Sequence, residues 1–109
     1  MHFQVQRTDP DKVSIHLEGS LDRQTVPKIR KELLKSAKKS GASRVEVDLS
    51  RVSGLDTAGI ALMVELLRAL SNRDGKLRLT GLNEHAIKMI RLSRLDALFQ
   101  VNYQGGKGS

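Results

Sequence analysis

Residues Arg44 to Asn72 read R-V-E-V-D-L-S-R-V-S-G-L-D-T-A-G-I-A-L-M-V-E-L-L-R-A-L-S-N. Val45, Val47 and Leu49 alternate with Glu46 and Asp48, the pattern of a strand with one buried face. Ser50 to Leu55 reads as a tight loop, with Gly54 available for a positive φ. Asp56 is a good helix N-cap, because its carboxylate can accept from the free N–H groups of a first helical turn. Ile60, Leu62, Met63, Val64, Leu66, Leu67 and Leu70 then recur at helical spacing, and only Glu65, Arg68 and Asn72 make a polar stripe. Met63 is best read as core filler. A strand feeding such a helix leaves a helix N-terminus, Asp56-Thr57-Ala58-Gly59, at the surface, where an anion or a partner can dock.

Working outward, Phe3 to Arg7 alternates weakly and predicts an edge strand. Thr8-Asp9-Pro10-Asp11-Lys12 predicts a turn. Val13 to Leu17 predicts a second strand, with Val13, Ile15 and Leu17 inward and Ser14 and His16 on the polar face. The two strands make a hairpin, and His16 reads as a solvated histidine rather than a ligand. A helix begins near Thr25, which reads as its N-cap, with Pro27 tolerated in the first turn. Val26, Ile29, Leu33 and Ala37, supported by Leu34, form its buried stripe. Gly41 is placed to end it in the left-handed conformation.

On the far side of the central unit, Arg73-Asp74-Gly75 predicts a turn and Lys76 to Thr80 a strand, with Leu77 and Leu79 inward. Gly81-Leu82-Asn83 reads as a short loop ending in the cap Asn83. Glu84 to about Leu92 predicts a third helix, buried through Ala86, Ile87 and Ile90 and broken over Ser93 to Ala97. Leu98 to Val101 predicts a short final strand, and 104–109 a flexible tail. The order β-β-α-β-α-β-α, with one more short strand, implies parallel crossovers after an antiparallel hairpin, hence an α/β mixed sheet.

The chain has 109 residues, 39% of them hydrophobic, which suits one domain with one core. With no cysteine it has neither disulfides nor thiolate zinc sites, and a reducing compartment is compatible. The first residues lack a signal-peptide run, and the longest apolar run, Ile60 to Val64, is too short to cross a bilayer. A soluble cytoplasmic domain is the expectation. Nineteen Lys+Arg against 12 Asp+Glu give a net charge of +7. That invites nucleic acid, or the proximity of an anionic membrane leaflet. However, Lys28, Lys31, Lys35, Lys38 and Lys39 lie on one helix, where a solvated face is the usual reading. Phe3, Phe99 and Tyr103 are too scattered to stack bases. No catalytic constellation is present: His2, His16 and His85 sit in unrelated contexts, and Ser50 and Ser53 near Asp48 and Asp56 have no companion histidine. No metal ligands fall at metal spacing, and residues 54–59 lack the lysine of a phosphate-binding loop. No cofactor and no enzymatic activity are expected.

The run D-L-S-R-V-S-G-L-D-T-A-G-I-A-L (Asp48 to Leu62) resembles the signature segment of STAS domains, in which a strand ending D-L-S is followed by D-[ST]-[SAG]-G and an apolar helix. L-E-G-S-L-D (Leu17 to Asp22) and L-R-L-T-G-L-N (Leu77 to Asn83) are similar to two further family segments, in the family's order. The resemblance implies a STAS fold over residues 1–103. It implies protein-partner binding through Asp56, Thr57, Ala58 and Gly59, with Asp22 and Asn83 in the neighbouring loops. In the family's anti-sigma factor antagonists, which bind kinase-type anti-sigma factors, the residue after D-[ST] is a phosphorylated serine; here it is Ala58, without a hydroxyl. Thr57 points about 100° away around the helix. Thr57 and Ser53 are the remaining candidate phosphoacceptors. D-T-A-G-I-A-L is closer to the STAS subunit of Mla-type phospholipid ABC transporters, whose matching threonine contacts the ATPase. The resemblance thus implies such a regulatory subunit, brought near a membrane by its complex without insertion, with an anti-sigma factor antagonist as the alternative. Against both stand bland readings: Asp56 as a cap only, Thr57 hydrogen-bonding within its own turn, and Ala58 and Gly59 small for packing.

Overall fold

In a computed structural model, residues 2–94 and 100–103 are described. The elements run β1 (His2–Asp9), β2 (Lys12–Leu21), α1 (Val26–Ser40), β3 (Arg44–Leu55), α2 (Thr57–Ser71), β4 (Lys76–Leu82), α3 (Glu84–Leu92) and β5 (Gln100–Tyr103). The order and the mixed sheet match the sequence reading. One five-stranded sheet has the spatial order β1-β2-β3-β4-β5. β1 pairs antiparallel with β2, and every later pairing is parallel. Of the expected final strand, Leu98 and Phe99 lie outside the described residues, as does the expected tail over 104–109.

The core follows from alternation. Val13, Ile15 and Leu17 of β2, Val45, Val47 and Leu49 of β3, and Leu77 and Leu79 of β4 are all buried in a single cluster. The stripe of α1 (Val26, Ile29, Leu33, Ala37), that of α2 (Leu62, Met63, Leu66, Leu70) and Ala86 and Ile90 of α3 close over them. Lys12, His16, Glu18, Arg44, Glu46, Asp48, Lys76 and Arg78 alternate with this buried set and are exposed or half-buried. The helices therefore cover one face of the sheet and leave the other to solvent. Ser14 is an exception on the open face, buried to 6% exposure. Ile87 is only half-buried, against expectation. His16 is exposed, and its Nδ1 lies 3.1 Å from Asp48 Oδ2.

Three boundaries differ from the sequence reading. β3 does not end at Leu49; it continues through Ser50–Leu55 by pairing with the second half of β2. The ladder shifts register twice there, and in each shift β3 carries the extra residue. Such bulges break the period-two signal, so the segment looks like a loop in sequence. Ser53 is the unpaired residue of the second bulge and is exposed. The left-handed backbone expected at Gly54 occurs across the ladder at Gly19 (φ 109). β4 likewise runs on through Gly81 (φ 72) to the buried Leu82. A Cβ at Gly81 would fall 2.6 Å from Ser50 N and 2.8 Å from Asp48 Oδ1, so only glycine lets β4 pass β3 there.

The third difference is the start of α1. Thr25 precedes the helix but makes no side-chain cap, because its backbone is already helical (φ −93, ψ −33). Its hydroxyl turns back, donating to Ser20 O at 2.6 Å and accepting from Asp22 N at 3.0 Å. The other end of α1 is as read, with Gly41 at φ 68. Arg73, between α2 and β4, locks that end: its guanidinium donates to the carbonyls of Ala37 (2.6 Å), Lys38 (2.9 Å) and Ala42 (3.1 Å). Ala37 O also accepts from Ser40 Oγ and Lys38 O from Gly41 N, so Arg73 adds a second donor to these two and ties them to Ala42.

Candidate functional site

β2, β3 and β4 end in Leu21-Asp22, Leu55-Asp56 and Leu82-Asn83. Each leucine closes the strand toward the core, and each Asp or Asn organises the turn into a helix. Asp56 Oδ1 accepts from Ala58 N (2.8 Å) and Gly59 N (3.2 Å). Asn83 Oδ1 accepts from Ala86 N at 2.8 Å. Asp22 Oδ1 accepts from Gln24 N (2.9 Å) and Thr25 N (3.0 Å), while Ser20 Oγ donates to its other oxygen at 2.7 Å. The Ser20 hydroxyl and the Thr25 and Gln24 amides hold the Asp22 carboxyl below its usual range. These turns share the edge at the C-terminal ends of the parallel strands.

Two of the turns are joined. Leu21 and Leu55 are partners in the β2–β3 ladder. Arg23 N donates to Asp56 Oδ2 at 3.1 Å, and Asp56 N donates to Leu21 O at 3.3 Å. Asp56 thus serves three backbone amides on two segments. This is more than a helix cap: it fixes the Asp22 turn against the start of α2.

The four residues of the expected contact segment differ in access. Thr57 is exposed, Asp56 and Ala58 are half-buried, and Gly59 is buried. A Cβ on Gly59 would lie 2.5 Å from Leu21 O and 2.7 Å from Leu55 Cδ1, so Gly59 is small because α2 presses on the end of β2. Thr57 heads a shallow groove of about 540 Å³ along the outer side of α2, with Ala61, Val64 and Arg68 in its wall. The Thr57 hydroxyl makes no hydrogen bond to a described residue, so the bond within its own turn that the bland reading offered is absent. Ser53 and Asn83 face a separate notch of about 180 Å³ between the end of β3 and the start of α3. The structure therefore joins Asp22 to Asp56 and Ser53 to Asn83, with Thr57 opening on a different side.

Sequence reasoning missed Ala61 and Val64 as surface residues. They lie one turn before Glu65 and Arg68 of the polar stripe, so the i, i+4 spacing was the signal that could have found them. Glu65 was read as part of the polar stripe, but its partner could not be: Arg30 of α1 donates through Nε to both Glu65 oxygens (2.8 and 3.0 Å) and through Nη2 to Oε2.

The sheet is one-sided, and its strand-to-helix turns bear a capped, half-exposed helix start. The family model described as "Mlab, STAS domain" matches residues 4–100. The chain belongs to the STAS domain family. It is 30% identical over 103 residues to an anti-sigma-B factor antagonist of Staphylococcus aureus, an alignment covering 94% of each chain. To the anti-sigma-B factor antagonist of Staphylococcus epidermidis it is 33% identical over 95 residues, 87% of each. Its fold resembles that of the Bacillus anti-sigma factor antagonist SpoIIAA in the unphosphorylated form, with a TM-score of 0.79 and 22% identity over 94% of this chain and 88% of that one. No helix among the described residues is long and apolar enough to cross a membrane.

Proposed function

We propose that this chain is a non-enzymatic regulatory domain acting as an anti-sigma factor antagonist in the cytoplasm. It binds a kinase-type anti-sigma factor through the start of α2. The observation that carries the reading is the alignment over nearly the whole of both chains with staphylococcal anti-sigma-B factor antagonists. The exposed Thr57, with its unbonded hydroxyl at the head of an open groove, supports the same surface. Asp56 presets the surface, Thr57 touches the partner, and Ala58 makes room for it. Ala58 cannot accept a phosphate, so binding is either constitutive or controlled at Thr57 or Ser53. A phosphate at either would add charge and bulk at the contact.

A second reading, a subunit docking on the ATPase of an Mla-type lipid ABC transporter, is favoured by two observations. One is Ala58 in place of a phosphorylatable serine; the other is the description carried by the matching family model. Calorimetry against the anti-sigma factor kinase and the transporter ATPase of the same genome separates the readings. The first reading expects binding to the kinase, weakened at least about tenfold by Thr57→Glu, since an unpaired charge is buried. Incubation with that kinase and ATP, followed by intact mass, supports it further if one phosphate appears on Thr57 or Ser53. Binding to the ATPase alone overturns it in favour of the second. Binding undiminished by Thr57→Glu removes the start of α2 as the contact in both.

A further inference from the structure

The excess positive charge is not used by the start of α2, and the fold gathers part of it at the opposite end of the sheet. Lys12, Arg44 and Lys76 are the first residues of β2, β3 and β4, and the ladders set them side by side: Lys12 opposite Arg44, and Arg44 opposite Lys76. Strands lie about 4.8 Å apart, so this row of three cations spans only about 10 Å. Like charges directly opposite one another in a sheet are destabilising. Arg78, two residues beyond Lys76, projects from the same open face. Lys12, Arg44, Lys76 and Arg78 surround a shallow notch of about 130 Å³.

Acid groups answer only half of this charge. Lys12 pairs with Glu46 at 3.6 Å, and Arg44 with Asp9 at 3.2 Å. Glu46 is also the ladder partner of Arg78, yet it leans to Lys12. Among the described residues no carboxylate pairs with Lys76 or Arg78. The one carboxylate in the notch, Glu46, leaves it strongly cationic.

We propose that this notch is a binding site for a phosphate group. A tetrahedral oxyanion offers several acceptor oxygens to the donors that line the notch from three strands. Arg44 and Arg78 supply planar forks suited to phosphate, and Lys76 adds a point charge. Seating the anion supplies a counter-charge to Lys76 and Arg78, the two cations of the notch that no described carboxylate pairs with. The group can belong to a soluble phosphate or to a phospholipid headgroup.

Amide-resolved NMR of the ¹⁵N-labelled full chain, titrated with inorganic phosphate at constant ionic strength, tests this. Saturating shifts are expected at Lys12, Arg44, Lys76 and Arg78, with a dissociation constant of about 1 mM or tighter. The K76Q/R78Q double variant should bind at least about fivefold more weakly. Phosphate should raise the thermal midpoint of the parent chain, as any ligand of the folded state does, and leave that of the variant nearly unchanged. R44Q is the check should the double variant fold poorly. Flotation with vesicles of phosphatidic acid in phosphatidylcholine names the source. Flotation that depends on Lys76 and Arg78 assigns the group to a headgroup, and phosphate binding without flotation assigns it to a soluble ligand. Shifts that do not saturate, that appear equally with chloride, or that spread over the lysines of α1 overturn the proposal. Retention of duplex DNA with no phosphate response also overturns it.

Discussion

Replacing Asp56 by alanine removes acceptors from three backbone amides: Ala58 N, Gly59 N and Arg23 N. Loss of an N-cap side chain costs about 1 kcal/mol in a typical case and up to about 2. The bond to Arg23 N lies outside the helix and adds about 0.5–1 kcal/mol, because the freed amide is exposed and can turn to water. The total is about 2 kcal/mol. For a domain of about this length, 1 kcal/mol moves the thermal midpoint by about 4–8 °C, so Asp56→Ala should melt about 8–16 °C lower. Asp56→Asn keeps a carbonyl oxygen in the same place and should cost less than about half as much. Urea unfolding followed by circular dichroism measures both, with an unchanged m-value expected. Loss of less than about 0.5 kcal/mol in Asp56→Ala would refute the reasoning. So would an equal loss in the asparagine variant, because the effect would then come from charge rather than from acceptor geometry.

Gly59→Ala should destabilise by about 1–2 kcal/mol in urea titration. Overpacking against Leu21 O and Leu55 costs about 1–3 kcal/mol, offset by up to about 1 kcal/mol of better helix propensity. A neutral result would mean that α2 shifts freely on β2. Arg73→Ala removes a donor from the carbonyls of Ala37, Lys38 and Ala42, the first two of which keep Ser40 Oγ and Gly41 N, and should lose about 1–2 kcal/mol; Arg73→Lys should recover less than half, for want of the planar fork. In acid, the Asp22 and Asp11 carboxyls titrate below their ordinary 3.8 and Glu65 below its ordinary 4.5. The unfolded chain therefore binds more protons in that range, and stability falls as pH drops from about 5 through the folded-state values. Asp22→Asn should flatten that fall, read from urea midpoints between pH 7 and about 2.5.

Period-two alternation and helical spacing, read segment by segment, were enough for the order of the elements and for most of the sides they bury, with Ile87 an exception. The caps Asp56 and Asn83 were legible because a short acceptor before an apolar run has one obvious local use. Thr25 looked equally suited, and failed because a stronger competitor, Asp22, lies three residues earlier. The second half of β3 was illegible for another reason. Its pairing is set by bulges against β2, a contact between segments some 33 residues apart that no local pattern records. The outward side of α2 was marked by Glu65, Arg68 and Asn72, but the apolar Ala61 and Val64 that share it were passed over. The cationic row was hidden because Lys12, Arg44 and Lys76 meet only after three strands align.

Because β2, β3 and β4 all run the same way, the molecule has a head and a foot. Every turn from strand to helix lies at one, and the helix ends and strand starts, bound by Arg73, lie at the other. A protein gripping the Thr57 end leaves the Lys76 end in open solvent. On the two proposals above, both ends are open to occupation at once, because the parallel strands hold them apart by the length of the sheet.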